Sequence, residues 1–419
     1  MQMRSDWPKV SLGDKVKIQT GHPFESDQYT EDPEDIRLLR GANISQGRLD
    51  WGNEKRWPAS GLREVEEYLL DPGDVILAMD RPWIEAGLKF ARIRGHHTPC
   101  LLVQRVARLT AREDFDQTFL KYVIQHQRFS EYVRSVQTGS AVPHISAKQI
   151  RNYEFRCPPL PVQRRIADIL GALDDKIELN RRMNETLEAM AQALYRHWFV
   201  DFGPFQDGEF TDTEELGPIP KGWEVTTVGN TTQINLGQSP KSKYYNEEGD
   251  GLVFHQGVST YGWRFPVHER YCSKKKRVAD EGDILISVRA PVGRLNIADR
   301  KLIIGRGLTA LRREDGNQSF LFYFLKEFFD EENKIGSGTV FNSITKSVLN
   351  DLEMVGPPPE VVEEFESIVG PMDEQIRNNH EENQTLAETR DYLLPKMISG
   401  EIEVDAAQEI ADETAAAQA

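Results

Sequence analysis

Only three cysteines, Cys100, Cys157 and Cys272, occur in 419 residues, and they stand apart, outside any CxxC or Cys/His grouping. That scarcity argues against a disulfide framework and against a zinc site. Apolar residues make up 39% of the chain, yet no uninterrupted apolar run nears the ~20 residues that a bilayer demands. No signal peptide is apparent ahead of Trp7. A soluble chain of two or more domains, in a reducing cytoplasm and away from membranes, is the expectation. Equally missing are a GxxxxGK[ST] phosphate loop, a GxGxxG after a strand, and any HExxH or HxxxH pattern among the nine histidines. His96, His97, His144 and His255 are expected in loops or satisfied cores. No nucleophile with a neighbouring base can be assembled either, so we expect no catalytic residue, no metal and no cofactor bound by this chain.

What is abundant is internal repetition. Residues 145–199 return at 344–398 in one constant register: Ile145 becomes Ile344, Glu154 becomes Glu353, Pro158-Pro159 becomes Pro357-Pro358, Asp174 becomes Asp373, and Leu194 becomes Leu393. The segments ahead of each copy diverge but keep a skeleton. Trp7 with Leu12-Gly13-Asp14 answers Trp223 with Val228-Gly229-Asn230, and Asp71-Pro72-Gly73-Asp74 answers Asp280-Glu281-Gly282-Asp283. The order is therefore module, helix, module, helix, with loops free to differ. Trp7 and Trp223, recurring at one skeletal place, are expected to be core anchors.

The repeated segment carries a heptad pattern. Ile166, Leu170, Leu173, Ile177, Asn180, Asn184, Leu187, Ala191, Leu194 and Trp198 are spaced alternately by four and three, the period of a coiled-coil seam. The second copy places Phe365, Val369, Met372, Ile376, Asn379, Asn383, Leu386, Arg390, Leu393 and Met397 in the same positions. A helix of this length spans ~60 Å. Asparagines at the seam's centre penalise wrong registers, and an antiparallel pairing still lets the two Asn layers meet; a parallel intermolecular coil is the alternative. Pro371, where the first copy has Ala172, predicts a second helix that is shorter or bent near its start, and Pro395 predicts its end near Leu394. The boundaries expected are a first module over 1–157, a first long helix over 158–202, a linker over 203–222, a second module over 223–356, a second long helix over 357–400, and a loose acidic tail over 401–419.

A net charge of −16 argues against a polyanionic partner until it is divided along the chain. It is +1 over 1–157, −1 over 158–205, −3 over 206–356 and −13 over 357–419. The acid lies in the last helix and tail, and the modules are nearly neutral with bunched cations: Arg81, Lys89, Arg92, Arg94, Arg105, Arg108 and Arg112 in the first, Lys274-Lys275-Lys276-Arg277, Arg289, Arg294, Arg300-Lys301, Arg306 and Arg312-Arg313 in the second. Aromatic and polar residues are interleaved, as in Lys241-Ser242-Lys243-Tyr244-Tyr245 and Tyr261-Gly262-Trp263-Arg264. Such mixtures suit a nucleic-acid duplex, because Lys and Arg neutralise phosphates while Arg, Asn, Gln and Ser read base edges. A solvated surface is the competing reading of the same runs.

The segment Pro158-Pro159-Leu160-Pro161-Val162-Gln163, followed by Ile166, Ile169-Leu170, Leu173-Asp174, Ile177 and Asn180 and closing in Leu194-Tyr195-Arg196-His197-Trp198-Phe199, resembles the central conserved region of the DNA-specificity subunit of type I restriction-modification systems. Gly217-Pro218-Ile219-Pro220-Lys221-Gly222-Trp223 is similar to the opening of that family's second target-recognition domain. The resemblance covers nearly the whole chain. It implies an α+β architecture of two similar globular target-recognition domains joined by two long helices, which form an antiparallel coiled coil with pseudo-twofold symmetry. It further implies that each domain reads one half of a gapped double-stranded DNA target and that the helices set the gap. The implied partners are two adenine-N6 methyltransferase subunits using S-adenosylmethionine and, in the larger assembly, two restriction subunits using ATP and Mg. The Asn-Pro-Pro-aromatic segment that clamps a target adenine is absent, since Cys157-Pro158-Pro159 and Gly356-Pro357-Pro358 lack both flanks. A coiled-coil adaptor and a self-contained DNA-modifying enzyme are the alternatives.

Loops that differ on a shared scaffold are where sequence choice must reside. In the first module the candidates for DNA contact are Gly21, His22, Pro23, Arg40, Arg48, Arg81, Trp83, Lys89 and the Thr138-Gly139-Ser140 loop with His144. In the second they are Gln238, Ser239, Lys241, Lys243, Tyr244, Gln256, Arg264, Arg289, Arg294 and the Gly338-Thr339 loop with Asn342. Tyr195, Trp198, Phe199, Phe202 and Phe205 either cap the second module or seat a partner.

Overall fold

A computed structural model of the chain describes residues 7–84, 87–139, 142–334 and 343–416. It divides into two compact units, residues 1–180 with 381–419 and residues 181–380. Each unit holds one module together with one half of each long helix. The long helices run Leu160–Phe199 and Pro359–Ser399.

In the first unit a four-stranded antiparallel sheet is ordered Val16–Thr20, Val106–Ala111, Val75–Ala78, Phe90–Arg92. Leu109 sits between Ile18 and Val75. A second sheet of Arg56–Trp57, Ile36–Leu39 and Cys100–Leu102 flanks it. The second unit repeats the main sheet with Thr232–Leu236, Leu308–Arg313, Ile284–Ser287 and Leu295–Ile297, and Leu311 sits between Ile234 and Ile284. Its flanking sheet is larger, with five strands. In both flanking sheets one strand pair is parallel, Ile36–Leu39 with Cys100–Leu102 and Leu252–His255 with Leu302–Ile304.

The repeated Asp-x-Gly-Asp motif has a local cause. Asp74 Oδ2 accepts from the Asp71 amide at 2.9 Å and Asp283 Oδ2 from the Asp280 amide at 2.8 Å, closing a turn whose glycines, Gly73 and Gly282, have φ of 102° and 82°. An arginine of the neighbouring strand then neutralises each aspartate: Arg108 reaches Asp74 at 3.3 Å and Arg312 reaches Asp283 at 2.5 Å. Gln117 and Gln318 complete the motif by donating to Gly73 O and Gly282 O. Gly21 and Gly237 repeat for another reason. A Cβ on Gly21 would lie 2.2 Å from Val103 O, and one on Gly237 2.1 Å from Gly305 O, so both positions require close backbone approach.

Seam residues are buried as the heptads require. Ile166, Leu170, Leu173, Ile177, Asn180, Asn184 and Ala191 are buried in the first long helix, and Phe365, Val369, Ile376, Asn379, Leu386, Leu393 and Met397 in the second; Leu187 and Asn383 are half-buried. Within the first unit Asn180 Nδ2 donates to Asn383 Oδ1 at 3.1 Å, and Arg390 pairs with Asp174 at 2.9 Å. Within the second unit Asn379 Nδ2 donates to Asn184 Oδ1 at 2.7 Å and Asn184 Nδ2 to Ile376 O at 3.4 Å. The helix segments in each unit thus run antiparallel, with the asparagines meeting. Trp223 is buried in the second core and Trp7 packs at the edge of the first, as anchors should.

Three expectations are corrected. The second long helix is neither shortened nor ended by its prolines: it continues through Pro371 and past Pro395 to Ser399. Both rings lie on the exposed face, while Phe365, Val369, Ile376, Leu393 and Met397 are fixed in the cores on either side, and this packing outweighs the ~3 kcal/mol that an internal proline costs. The tail is not loose. Val404–Ala416 is a helix whose Ala407 and Ala411 are buried against the first core with Val404 and Ile410 beside them, an apolar stripe at helical spacing. The linker holds a hairpin of Phe210–Thr213 with Gly217–Pro220, and its Ile219 is buried.

Candidate nucleic-acid interface

Carboxylates already neutralise several of the cations named from the sequence. Arg94, Arg105, Arg108, Arg312 and Arg313 all pair with aspartates, namely Asp175, Asp80, Asp74, Asp283 and Asp315. Among the described residues, Arg48, Arg81, Arg112, Lys241, Lys243, Lys274, Lys275, Lys276, Arg277, Arg289, Arg294 and Arg306 are exposed and have no ion pair. Those are the charges left to meet phosphates.

In the second module several of them are brought together. The Arg306 amide donates to Ser239 Oγ at 3.1 Å, and Gly305 and Gly307 donate to the backbone of His255 and Gln256. Ser239, Gln256 and Arg306 therefore surround one short glycine-rich stretch. The Ser273 amide reaches Tyr244 O, which sets Lys274 5.1 Å from the Tyr244 ring; Lys243 lies at the same distance. Val288 donates to Gly307 O, so Arg289 follows directly, and Arg294 closes the turn through its amide to Ser287 Oγ at 2.9 Å. Lys274, Lys275, Lys276 and Arg306 were not among the named contacts. The signal was present in the charge run, but nothing in one dimension tied it to Tyr244.

In the first module Lys89 joins two loops. Its ammonium donates to Gly41 O, beside Arg40, and the adjacent Phe90 carbonyl accepts from Gly47, beside Arg48. Burial, and secondarily the nearby Arg81, push the Lys89 pKa down. Arg81 takes the left-handed φ of 44° and donates its amide to Pro143 O, next to His144, whose ring contacts Asp80 at 2.5 Å. Trp83 is half-buried beneath Arg134, 4.9 Å from the ring. His22 is enclosed by Phe24 and Tyr68, and Arg40 donates to Asn53 O. Ser140, Thr339 and Asn342 lie outside the described residues.

Arg264 is a correction. It is 2% exposed and cannot reach a duplex. Its guanidinium donates to Glu188 at 3.0 Å, to Tyr323 Oη at 3.1 Å and to Asp373 at 2.6 Å. Burial opposes its charge, but Asp373, then Tyr323 and Glu188, outweigh it and raise the pKa. The aromatic cluster Tyr195, Trp198, Phe199, Phe202 and Phe205 packs into the second core with Trp223 and Phe365, so it caps the module. Beside it opens a cavity of about 780 Å³ lined by Phe199, Phe324, Phe328, Leu352 and Met354.

All three cysteines are free and buried, and burial pushes the Cys100 thiol up to about 12 and the Cys157 thiol to about 11, away from thiolate chemistry. Among the described residues no group of His, Cys, Asp or Glu is placed to hold a metal ion, and no helix is long and apolar enough to cross a membrane.

Comparison with known proteins agrees with the doubled architecture. The family model described as type I restriction modification DNA specificity domain matches residues 4–189 and again residues 220–388. The MjaIX type I restriction enzyme specificity subunit of Methanocaldococcus jannaschii is 29% identical over 385 residues, 89% of this chain and 86% of the relative. The HindI specificity subunit of Haemophilus influenzae is 23% identical over 474 residues, 95% of this chain and 100% of the relative. A crystal structure of a type I restriction-modification system S subunit from M. genitalium shares the fold, with a TM-score of 0.57 at 14% identity over 95% of this chain and 98% of that one.

Proposed function

The chain belongs to the type I restriction-modification DNA specificity family, and from that premise we propose that it reads a bipartite, gapped DNA target, one half per module. The observation that carries this is the scaffold used twice with unlike loops: Leu109 between Ile18 and Val75 is matched by Leu311 between Ile234 and Ile284, while the cations around them differ. In this reading Arg48, Arg81, Lys89 and His144 face one half-site, and Ser239, Lys241, Lys243, Tyr244, Gln256, Arg289 and Arg294 face the other.

The finer architecture is part of the same proposal. The long helices form one antiparallel coiled coil with pseudo-twofold symmetry, supported by the Asn180–Asn383 and Asn184–Asn379 pairings inside the separate units. The chain performs no chemistry; it directs two methyltransferase subunits, which carry S-adenosylmethionine, and restriction subunits, which use ATP and Mg. The expected setting is the cytoplasm.

The test is base-resolution mapping of N6-methyladenine in host DNA with and without the gene. Loss of methylation at one split motif on deletion is expected. An unchanged methylome, with the methyltransferase expressed, would sink the reading and leave a coiled-coil adaptor. Exchanging residues 1–157 for another reader's module should then alter one half of the motif only.

A further inference from the structure

Arg264 is a cation buried where an apolar side chain would pack at less cost. Arg264 sits in a tight turn in which Gly262 donates to Phe265 O at 3.1 Å and Val267 to Thr260 O at 2.8 Å. The turn is joined to the main sheet, because Ile297 donates to Arg264 O at 2.8 Å and Asn296 Nδ2 to Gly262 O at 3.2 Å. It is joined also to the reading loops, because Thr260 Oγ1 meets His255 Nδ1 at 2.7 Å and His255 precedes Gln256. At its buried end the Arg264 fork grips Glu188 on the first long helix and Asp373 on the second.

Among its described residues the first module has no buried arginine that bridges a loop to both helix segments. The corresponding aspartate, Asp174, is neutralised by Lys121 and by Arg390 of the second long helix itself. Its sheet-side loop reaches the first long helix through Arg94–Asp175, whose aspartate side chain is 62% exposed, and through His96–Glu178 at 3.8 Å, whose imidazole is 40% exposed, and such exposed pairs contribute little.

We propose that Arg264 is a positioning residue for target choice: by tying the turn of the second module to both long-helix segments, it fixes the angle at which that module presents its reading loops, and so the half-site spacing the protein accepts. The inference rests on the reading given under Proposed function. The geometry makes the effect large, because a tilt of about 10° over a lever of about 20 Å moves a reading surface by ~3.5 Å, one base-pair step. A planar fork that holds two carboxylates resists such a tilt, whereas an ammonium, a point charge, does not.

The experiment uses the full chain with its methyltransferase and a pool of targets carrying the native half-sites at varied spacings. For Arg264→Lys, methylation of sites one base pair longer or shorter should rise relative to the native spacing by about fivefold or more, the lower end of coupling between linked sites. Half-site sequences should not change. Arg94→Met in the first module should keep the native profile. Should Arg264→Lys fail to fold, Glu188→Gln, which keeps the volume and loosens one arm, is read in the same way. A folded variant whose methylation falls in proportion at every spacing, or whose profile stays native, overturns the proposal. If the wild type itself methylates no gapped site, the functional reading fails first, and that failure is visible before any variant is measured.

Discussion

Tyr122 donates its hydroxyl to Asp174 at 2.8 Å, and the repeat sets Tyr323 on Asp373 in the same way at 2.9 Å. In each unit, then, a module helix is fastened to a long helix by one tyrosine and one carboxylate, buried at Asp174 and half-buried at Asp373. What differs is the source of the cation: Lys121 and Arg390 in the first unit, Arg264 in the second. A carboxylate withdrawn from water calls for a partner, so the acid and the tyrosine recur in both halves while each half has its own base.

Acid should release this fastening in the first unit. Burial pushes the Asp174 carboxyl up, but Lys121 and Arg390 outweigh it and hold the pKa at about 2, below the ordinary 3.8. The folded state therefore loses the proton more readily than the unfolded chain. The stabilisation is complete above about pH 4 and drains as pH falls towards 2, by about 2–3 kcal/mol in all. Urea unfolding from pH 6 to 2.5 should show this limb in the wild type and a flatter one in Asp174→Asn. Parallel curves would mean that Asp174 does not titrate as described.

Glycines on the scaffold and glycines in the loops should separate cleanly. Gly237→Ala puts a Cβ 2.1 Å from one backbone oxygen and 2.7 Å from another, neither of which can yield without moving a strand, so a cost above ~2 kcal/mol is expected. Gly41 has nothing within 4 Å of such a Cβ, and Gly41→Ala should stay within ~0.5 kcal/mol. Thermal unfolding of the two variants decides it; equal effects would refute the distinction.

Much of this scaffold was legible because it rests on local and periodic signals. The heptads located both long helices, and the recurring Asp-x-Gly-Asp reflected a turn that the chain must close twice. Arg264 was not legible. Beside Tyr261 and Trp263 it has the look of an interface residue, and its partners Glu188 and Asp373 lie 76 and 109 residues away. The tail misled for a different reason: its acid and alanine suggested disorder by composition, whereas the spacing of Val404, Ala407 and Ala411 gives one apolar face. Proline 371 shows packing overriding a local rule.

The central asparagines offer a double-mutant test. Asn379 Nδ2 has Asn184 Oδ1 as acceptor, so Asn184→Leu alone strands a buried amide and should cost ~1–3 kcal/mol. Replacing both with leucine removes the stranded group, and the double variant should be more stable than either single one, with a coupling of ~0.5–3 kcal/mol. Additive losses in denaturant titration would show that the pair does not act as a unit.

Salt dependence can identify which cations meet phosphate. Lys274, Lys275 and Lys276 are exposed with no carboxylate partner among the described residues, and Lys274 stands against the Tyr244 ring. Each cation that displaces a counterion from duplex DNA adds about 0.9 to the slope of log affinity against log salt. Substituting all three with alanine, in the complex with methyltransferase, should therefore reduce that slope by up to about 2.7 while leaving half-site preference intact. Arg312 is already engaged by Asp283, and Arg312→Gln should leave the slope unchanged. Fluorescence titrations between low and physiological salt read both numbers. A slope that falls for Arg312 but not for the lysines would place the duplex on another face of the second module.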